Sequence, residues 1–351
     1  MHKLFCIALS LSLLAVSPLA LAVRVHSIYQ AEIPVASQSA KDKAAAAQIG
    51  IAQVLIKVSG NSHALEDNLS LKGNLAHADD LVQQYSYSAT KGPDKTLPYS
   101  LKMQFDPEVI NKMLRESGTA VWGQNRPLVL VWLALETPAH PLDIVDSSTV
   151  DIQNLLTQTS KERGLPMILP MLDVAELAQV SVTDIISKAV PNLQHVSQRY
   201  QSDGILIGHV TQTNGDYASQ WQLILGTDQW SWDVSGKNLQ EIFSGIVDNI
   251  ADTLAGRFAT VVTNTVQSQI TLRVAGIKEQ ADLLQLMKYL QHLTPVADVQ
   301  LKGVSGNQVM LDISLRGTKQ AFVQAATVGK KLTPDAGASS PDDSLQYKWV
   351  Q

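Results

Sequence analysis

The chain has 351 residues, of which 45% are hydrophobic and 17% charged, and this balance describes a globular chain long enough for two or three domains. Its 27 basic and 32 acidic residues leave a net charge of −5, so no strongly basic surface is available to neutralise phosphates and nucleic-acid binding is not expected. Aromatic residues are 5%, which disfavours a protein built to stack on bases or sugars.

Residues 1–22 read as an export signal. Met1-His2-Lys3 is a short positive start, and Leu4 to Val16 is apolar apart from Ser10 and Ser12. Pro18 and the small-x-small pattern Ala20-Leu21-Ala22 then predict cleavage after Ala22, which favours removal over a retained anchor. The single cysteine, Cys6, lies inside this segment without a lipobox ahead of it. The mature chain therefore has no disulfide, no thiolate nucleophile and no cysteine-based metal site, and its charge falls to −6 because Lys3 leaves. No later segment reaches the length of a membrane span, so the expected location is the periplasm, without stable membrane insertion.

Three units follow, at 23–124, 125–263 and 264–351. In the first, Val23–Val35 has strand character and Pro34 is expected to end it. Ser39 opens a helix with apolar positions at Ala45, Ile49, Ala52 and Ile56, and Gly60 stops it. Short helical turns are expected up to Asp80. Gln83–Ala89 and Tyr99–Phe105 read as strands around the turn Gly92-Pro93-Asp94, and Asp106-Pro107 caps a helix ending near Ser117-Gly118.

The second unit contains Val129–Leu135, a continuous apolar run that predicts a strand buried on both faces. A helix near Thr149–Arg163 ends at Gly164, Met167-Ile168-Leu169 is a short strand, and helical segments run to Tyr200. Gly204–Val210 is a second buried strand, and Asn214-Gly215-Asp216 a hairpin turn. Trp221, Leu223 and Leu225 alternate on the returning strand, and Trp230 and Trp232 on another. Leu239, Phe243, Ile246, Ile250, Leu254 and Phe258 mark one face of a long helix. A mixed sheet between helices is the expected architecture.

The third unit reads βαββαβ: a strand with Ile270, Leu272 and Val274, then a helix with Leu283, Met287, Leu290 and Leu293. A strand from Val299 and one from Val309 to Leu315 flank the turn Ser305-Gly306-Asn307, and Thr318–Val328 is a helix. After a loose segment, Thr333–Ser344, the last strand carries Leu345, Tyr347 and Trp349. That order is ferredoxin-like, so the fold class is α/β and α+β in three modules.

Chemistry-bearing motifs are sparse. Gly329-Lys330 lacks the upstream glycine of a phosphate loop, and Gly303-Val304-Ser305-Gly306 lacks the last glycine of a nucleophile elbow. His63, Glu66, Asp67, His77, Asp79 and Asp80 form the densest polar group; a loop that gathered them could hold zinc, but no H-E-x-x-H helix sets their spacing. A solvated surface is the expected reading of that group. His209 is expected to be a buried, hydrogen-bonded histidine, and Trp221, Trp230 and Trp232 are expected to be core rather than a ligand groove. No catalytic, cofactor or metal residue is assigned, and the protein is not expected to be an enzyme.

The segment Tyr29–Val35, the helix running into Val54-Leu55-Ile56-Lys57-Val58-Ser59-Gly60, and Arg126-Pro127-Leu128-Val129-Leu130-Val131-Trp132 resemble a family of exported Gram-negative proteins catalogued as a domain of unknown function. The likeness extends through Tyr200–Val210 to Leu345–Trp349 and supplies no catalytic residue. The middle unit is similar to the N-terminal α/β domain of the translocation protein TolB. Outer-membrane activators of peptidoglycan synthases share that domain type, and the periplasmic flagellar assembly protein T has a comparable three-part organisation. The resemblance implies protein–protein interaction in the envelope, although the activators' lipid-anchoring cysteine is missing. A non-enzymatic envelope adaptor is thus the expected function. Alternatives are a periplasmic small-ligand-binding protein, with a groove near the tryptophans or between domains, and a metal-dependent hydrolase using the group from His63 to Asp80.

Overall fold

The structure, a computed structural model, describes residues 27–89, 96–139, 141–261, 266, 268–328, 331–335 and 344–350. The expected signal at 1–22, the turn Gly92-Pro93-Asp94 and Gly329-Lys330 lie outside the described residues. The strands form three sheets, each packed on its own apolar core.

In the first sheet β1 (Gln30–Val35) turns Ala31, Ile33 and Val35 inward, where they meet α1 (Ala40–Ser59). The helix starts where the Ser39 hydroxyl accepts the Asp42 N–H, and it stops at Gly60, whose φ of 73° is the left-handed conformation. A Cβ at Gly60 would also meet Trp122 and Ala255, so the position needs glycine twice over. Then follow α2 (Leu69–Gly73), a 3-10 stretch to Leu81, β2 (Val82–Ala89), β3 (Tyr99–Phe105) and α3 (Pro107–Glu116), capped by Asp106. The sheet is antiparallel in the order β1-β3-β2.

Two expectations need correction here. Pro34 does not end β1; it lies opposite Ser100 within the strand. Since β1 is an edge strand, a residue whose backbone faces outward loses no ladder bond by lacking an N–H. The buried stripe of α1 is Ala47, Ile51, Val54, Leu55 and Val58 rather than Ala45, Ile49, Ala52 and Ile56. Ile49 is 52% exposed. The helix is apolar on more than one side, so spacing admits two phases and contact with the sheet selects one.

The middle unit comprises β4 (Val129–Glu136), β5 (Asp143–Val145), α4 (Val150–Arg163), β6 (Met167–Ile168), α5 (Val174–Leu177), α6 (Val182–Ile186) and α7 (Val190–Ser197). It continues with β7 (Gly204–Thr213), β8 (Asp216–Leu225), β9 (Asp228–Gly236) and α8 (Leu239–Phe258). The sheet is mixed, in the order β5-β4-β7-β8-β9 with β6 also on β4; β4 and β7 run parallel, and β7, β8 and β9 form an antiparallel meander. Val129, Val131, Leu133 and Leu135 enter the core with α4 and α8. Leu130, Trp132 and Ala134 enter a second core with α6 and α7. This two-sided burial is why β4 reads as an unbroken apolar run. Trp221 is packed in the first of these cores, its ring over Gly208, where a Cβ would come within 2.1 Å of it. Trp230 and Trp232 pack against the same core.

The last unit runs β10 (Ser268–Ala275), α9 (Gln280–Gln291), β11 (Val296–Ser305), β12 (Gln308–Leu315), α10 (Lys319–Thr327), β13 (Leu332–Pro334) and β14 (Leu345–Trp349). Its order β11-β12-β10-β14-β13 holds the ferredoxin-like arrangement and adds a strand. The segment expected to be loose from Thr333 instead begins within β13, which takes the outer edge, and β14 inserts between it and β10, parallel to β10. The molecule is thus a mixed α/β and α+β fold.

Candidate functional site

The six residues from His63 to Asp80 do not form one site. The His63 Nδ1 lies 2.9 Å from Glu66 Oε2, and this exposed contact raises the histidine pKa above its ordinary value. The His77 Nδ1 lies 4.0 Å from Asp80 Oδ2, also at the surface. Asp79 pairs with Lys43 at 3.0 Å, and Asp67 accepts from Asn61. Among the described residues no three histidine, cysteine or acidic side chains are placed to hold one metal ion.

His209 departs from expectation as well. It is half-buried on β7, and its Nε2 has no hydrogen-bond partner among the described residues. The alternation of β7 puts it on the face of Ile205 and Ile207, toward α6 and α7, opposite Gln220 of β8. Gln222, buried on the same face of β8, also has an unpartnered Oε1. Its strand neighbours on this face, Ile205 and Ile207, offer Nε2 no partner, and Gln220 across the ladder is exposed.

The most developed polar arrangement lies where the first and middle units meet, and its centre is Arg126, 1% exposed. Its guanidinium donates to five backbone carbonyls: Gly123 from Nε, Arg163 and Gly164 from one terminal nitrogen, Lys57 and Trp122 from the other. Its carbon sits 4.1 Å from the centre of the Trp122 ring. The carbonyls of Lys57, Arg163 and Gly164 belong to the C-terminal ends of α1 and α4, where the helix dipoles favour a cation. Burial and the neighbouring Arg163 lower its pKa to about 9, which leaves it charged at neutral pH.

Around it, Arg163 donates to Asp248, to Asp252 at 2.7 Å and to the Gly60 carbonyl at 2.8 Å. Asp252 accepts the N–H and hydroxyl of Ser62. The Val58 carbonyl takes the Trp122 N–H at 2.7 Å, and Asn125 reaches the last unit by donating to Tyr289 and the carbonyls of Ala325 and Val328. The segment 121–126 thereby ties the three sheets together.

Beside this junction opens a cleft of about 790 Å³ between the outer face and edge of the first sheet and α4. Gln30, Glu32, Ser100 and Lys102 form one wall, Gln53 and Lys57 of α1 the base, and Gln158, Lys161 and Glu162 of α4 the other wall. Lys161 is paired with Glu32 at 2.7 Å. Lys57 is only 4% exposed; its Nζ donates to the Gln30 carbonyl at 2.9 Å and meets no carboxylate within salt-bridge distance among the described residues. Gly164, left-handed after α4, packs on its aliphatic stem. Burial first, then the charges of Arg126 and Lys161, lower its pKa from 10.5 to about 8.

Neither Lys57 nor Arg126 is a candidate in the sequence reading. A faint signal exists for Lys57, the only charge within Val54–Val58 of an otherwise apolar helical turn. Nothing adjacent to Arg126 marks it, because its partners are backbone carbonyls.

Fold and site together define a three-sheet α/β protein whose parts are held by a buried arginine, with a polar cleft at one seam. Residues 22–123, which span the first sheet and its helices, match the family described as Domain of unknown function (DUF8605). The family resemblance read along nearly the whole mature chain is thus matched over its first unit. No curated protein matches the chain. Among solved structures, the crystal structure of lipoprotein GNA1162 from Neisseria meningitidis is similar at 20% identity with a TM-score of 0.24, covering 36% of this chain and 99% of that one.

Proposed function

We propose that the protein is an exported, non-catalytic adaptor of the cell envelope that works by binding another protein. One observation carries this reading: Met171, Val174 and Leu177, spaced three apart in and before α5, are 61%, 86% and 58% exposed. Apolar side chains gathered on a short surface segment mark interaction sites more often than isolated ones do. Their backbone is held from beneath. Arg199 reaches Asp173 at 2.8 Å and the buried Glu176 at 3.4 Å, and the Tyr200 hydroxyl accepts the Met171 N–H at 2.7 Å. Burial and the nearby Glu176 push the Tyr200 pKa up to about 12, so this anchor stays neutral at physiological pH. A pre-ordered apolar patch binds with a smaller ordering cost than a loose loop.

Export rests on the sequence of residues 1–22. Among the described residues no helix is long and apolar enough to cross a membrane. The partner is an envelope protein with a complementary apolar surface. The test is a photo-reactive phenylalanine analogue placed at Val174 in intact cells. One discrete protein adduct is expected, lost on Met171→Lys while the melting temperature is unchanged. Absence of any adduct from Met171, Val174 and Leu177 alike would sink the reading. The second reading, small-ligand binding, is favoured by the cleft at Lys57.

A further inference from the structure

We infer that the cleft between the first sheet and α4 is a binding site for a single carboxylate, with Lys57 as the ammonium that receives it. This goes beyond the adaptor reading, which rests on a different surface. The cleft, at about 790 Å³, lies within the range of roughly 300–1,000 Å³ typical of small-molecule sites. At its base lies a lysine that has lost nearly all contact with water and has gained one carbonyl in return. A buried ammonium is costly unless paired, and one carbonyl leaves two of its three N–H groups to be satisfied. Among the described residues no acid closes that gap: Glu32 is engaged by Lys161 and Ser100, and Glu162 acts on Lys57 only as the weakest of the charges around it. Lys102, exposed on the wall and cross-strand from Glu32, forms no ion pair among the described residues and adds positive charge to the cleft.

The surroundings favour one negative charge over several. Phosphate sites draw on helix N-termini and arginine forks. Here Lys57 and Lys161 both lie in last turns, so the nearest helix ends are the negative ones, and Glu32 and Glu162 share the walls. A monoanionic carboxylate matches the one buried ammonium without a carboxylate partner, while Gln53, Gln158 and Ser100 offer hydrogen bonds to the rest of the ligand.

The carboxylate belongs either to a free small acid or to the C-terminus of a peptide. Calorimetric titration of the full exported chain with N-acetylalanine, acetyl-trialanine and acetyl-trialanine amide separates the two. At least one acid binds saturably and the amide does not; binding of N-acetylalanine assigns a free acid, and binding of acetyl-trialanine alone assigns a chain terminus. Lys57→Met and the surface change Lys102→Glu each weaken binding, Lys57→Met by about tenfold or more. Affinity also falls as pH rises through about 8, where the ammonium is lost. The inference is overturned if neither acid binds at millimolar concentration, if the amide binds as well as the acids, or if both variants bind like the wild type.

Discussion

Two buried cations lie back to back at the first seam, and they solve the same problem differently. Arg126 meets five carbonyls, so all its donors are satisfied without any carboxylate. Lys57 meets one, and the difference appears in its titration. Its pKa in the folded chain, about 8, lies below the ordinary 10.5. Between those values the unfolded chain holds a proton that the folded chain has released, so stability rises with pH. Below about pH 8 both states are protonated and the burial cost stands in full; above 10.5 it has vanished. Relative to Lys57→Met, the wild type should therefore gain about 3 kcal/mol between these two pH values, read from urea midpoints across the range. A difference that stays flat would mean that Lys57 titrates normally. Little of this was legible beforehand, because a lysine in an apolar helical turn looks the same whether it snorkels to water or lies under a cleft.

At the scale of elements, what could be read ahead was what neighbouring residues decide between themselves. Ser39 and Gly60 bound α1, Gly164 ends α4, and Asn214-Gly215 turns β7 into β8, each by conformations set within a few residues. The phase of α1 was not local. The corrected stripe yields opposite expectations for two isoleucines two positions apart, on opposite sides of the helix: Ile49→Glu changes stability by no more than about 0.5 kcal/mol, whereas Ile51→Ala costs about 3 kcal/mol in chemical denaturation. Equal losses at both positions would contradict the packing of α1 on β1 and β3. Strands β5 and β13, three residues each, carry too short a pattern to be read without the partners that pair with them.

For the whole molecule, the segment 121–126 couples parts that each have their own core. Replacing Arg126 by methionine leaves five carbonyls short of a donor in a site closed to water, and loss on this scale costs about 3–5 kcal/mol. The first sheet should then melt separately from the middle one in calorimetry, with proteolysis appearing near Gly60 and Gly164. A single unshifted transition would show that the seam is held by apolar contact alone. By itself the sequence determined the alternation of strands and helices, the helix caps and the two-sided burial of β4. Only the tertiary structure decided which helix face is buried, that β14 inserts beside β10, and that Arg126 and Lys57 stand together between two helix ends. The reason is physical: caps and turns are settled by side chains within a few positions, whereas a buried cation is settled by carbonyls that the fold brings from far apart in the chain.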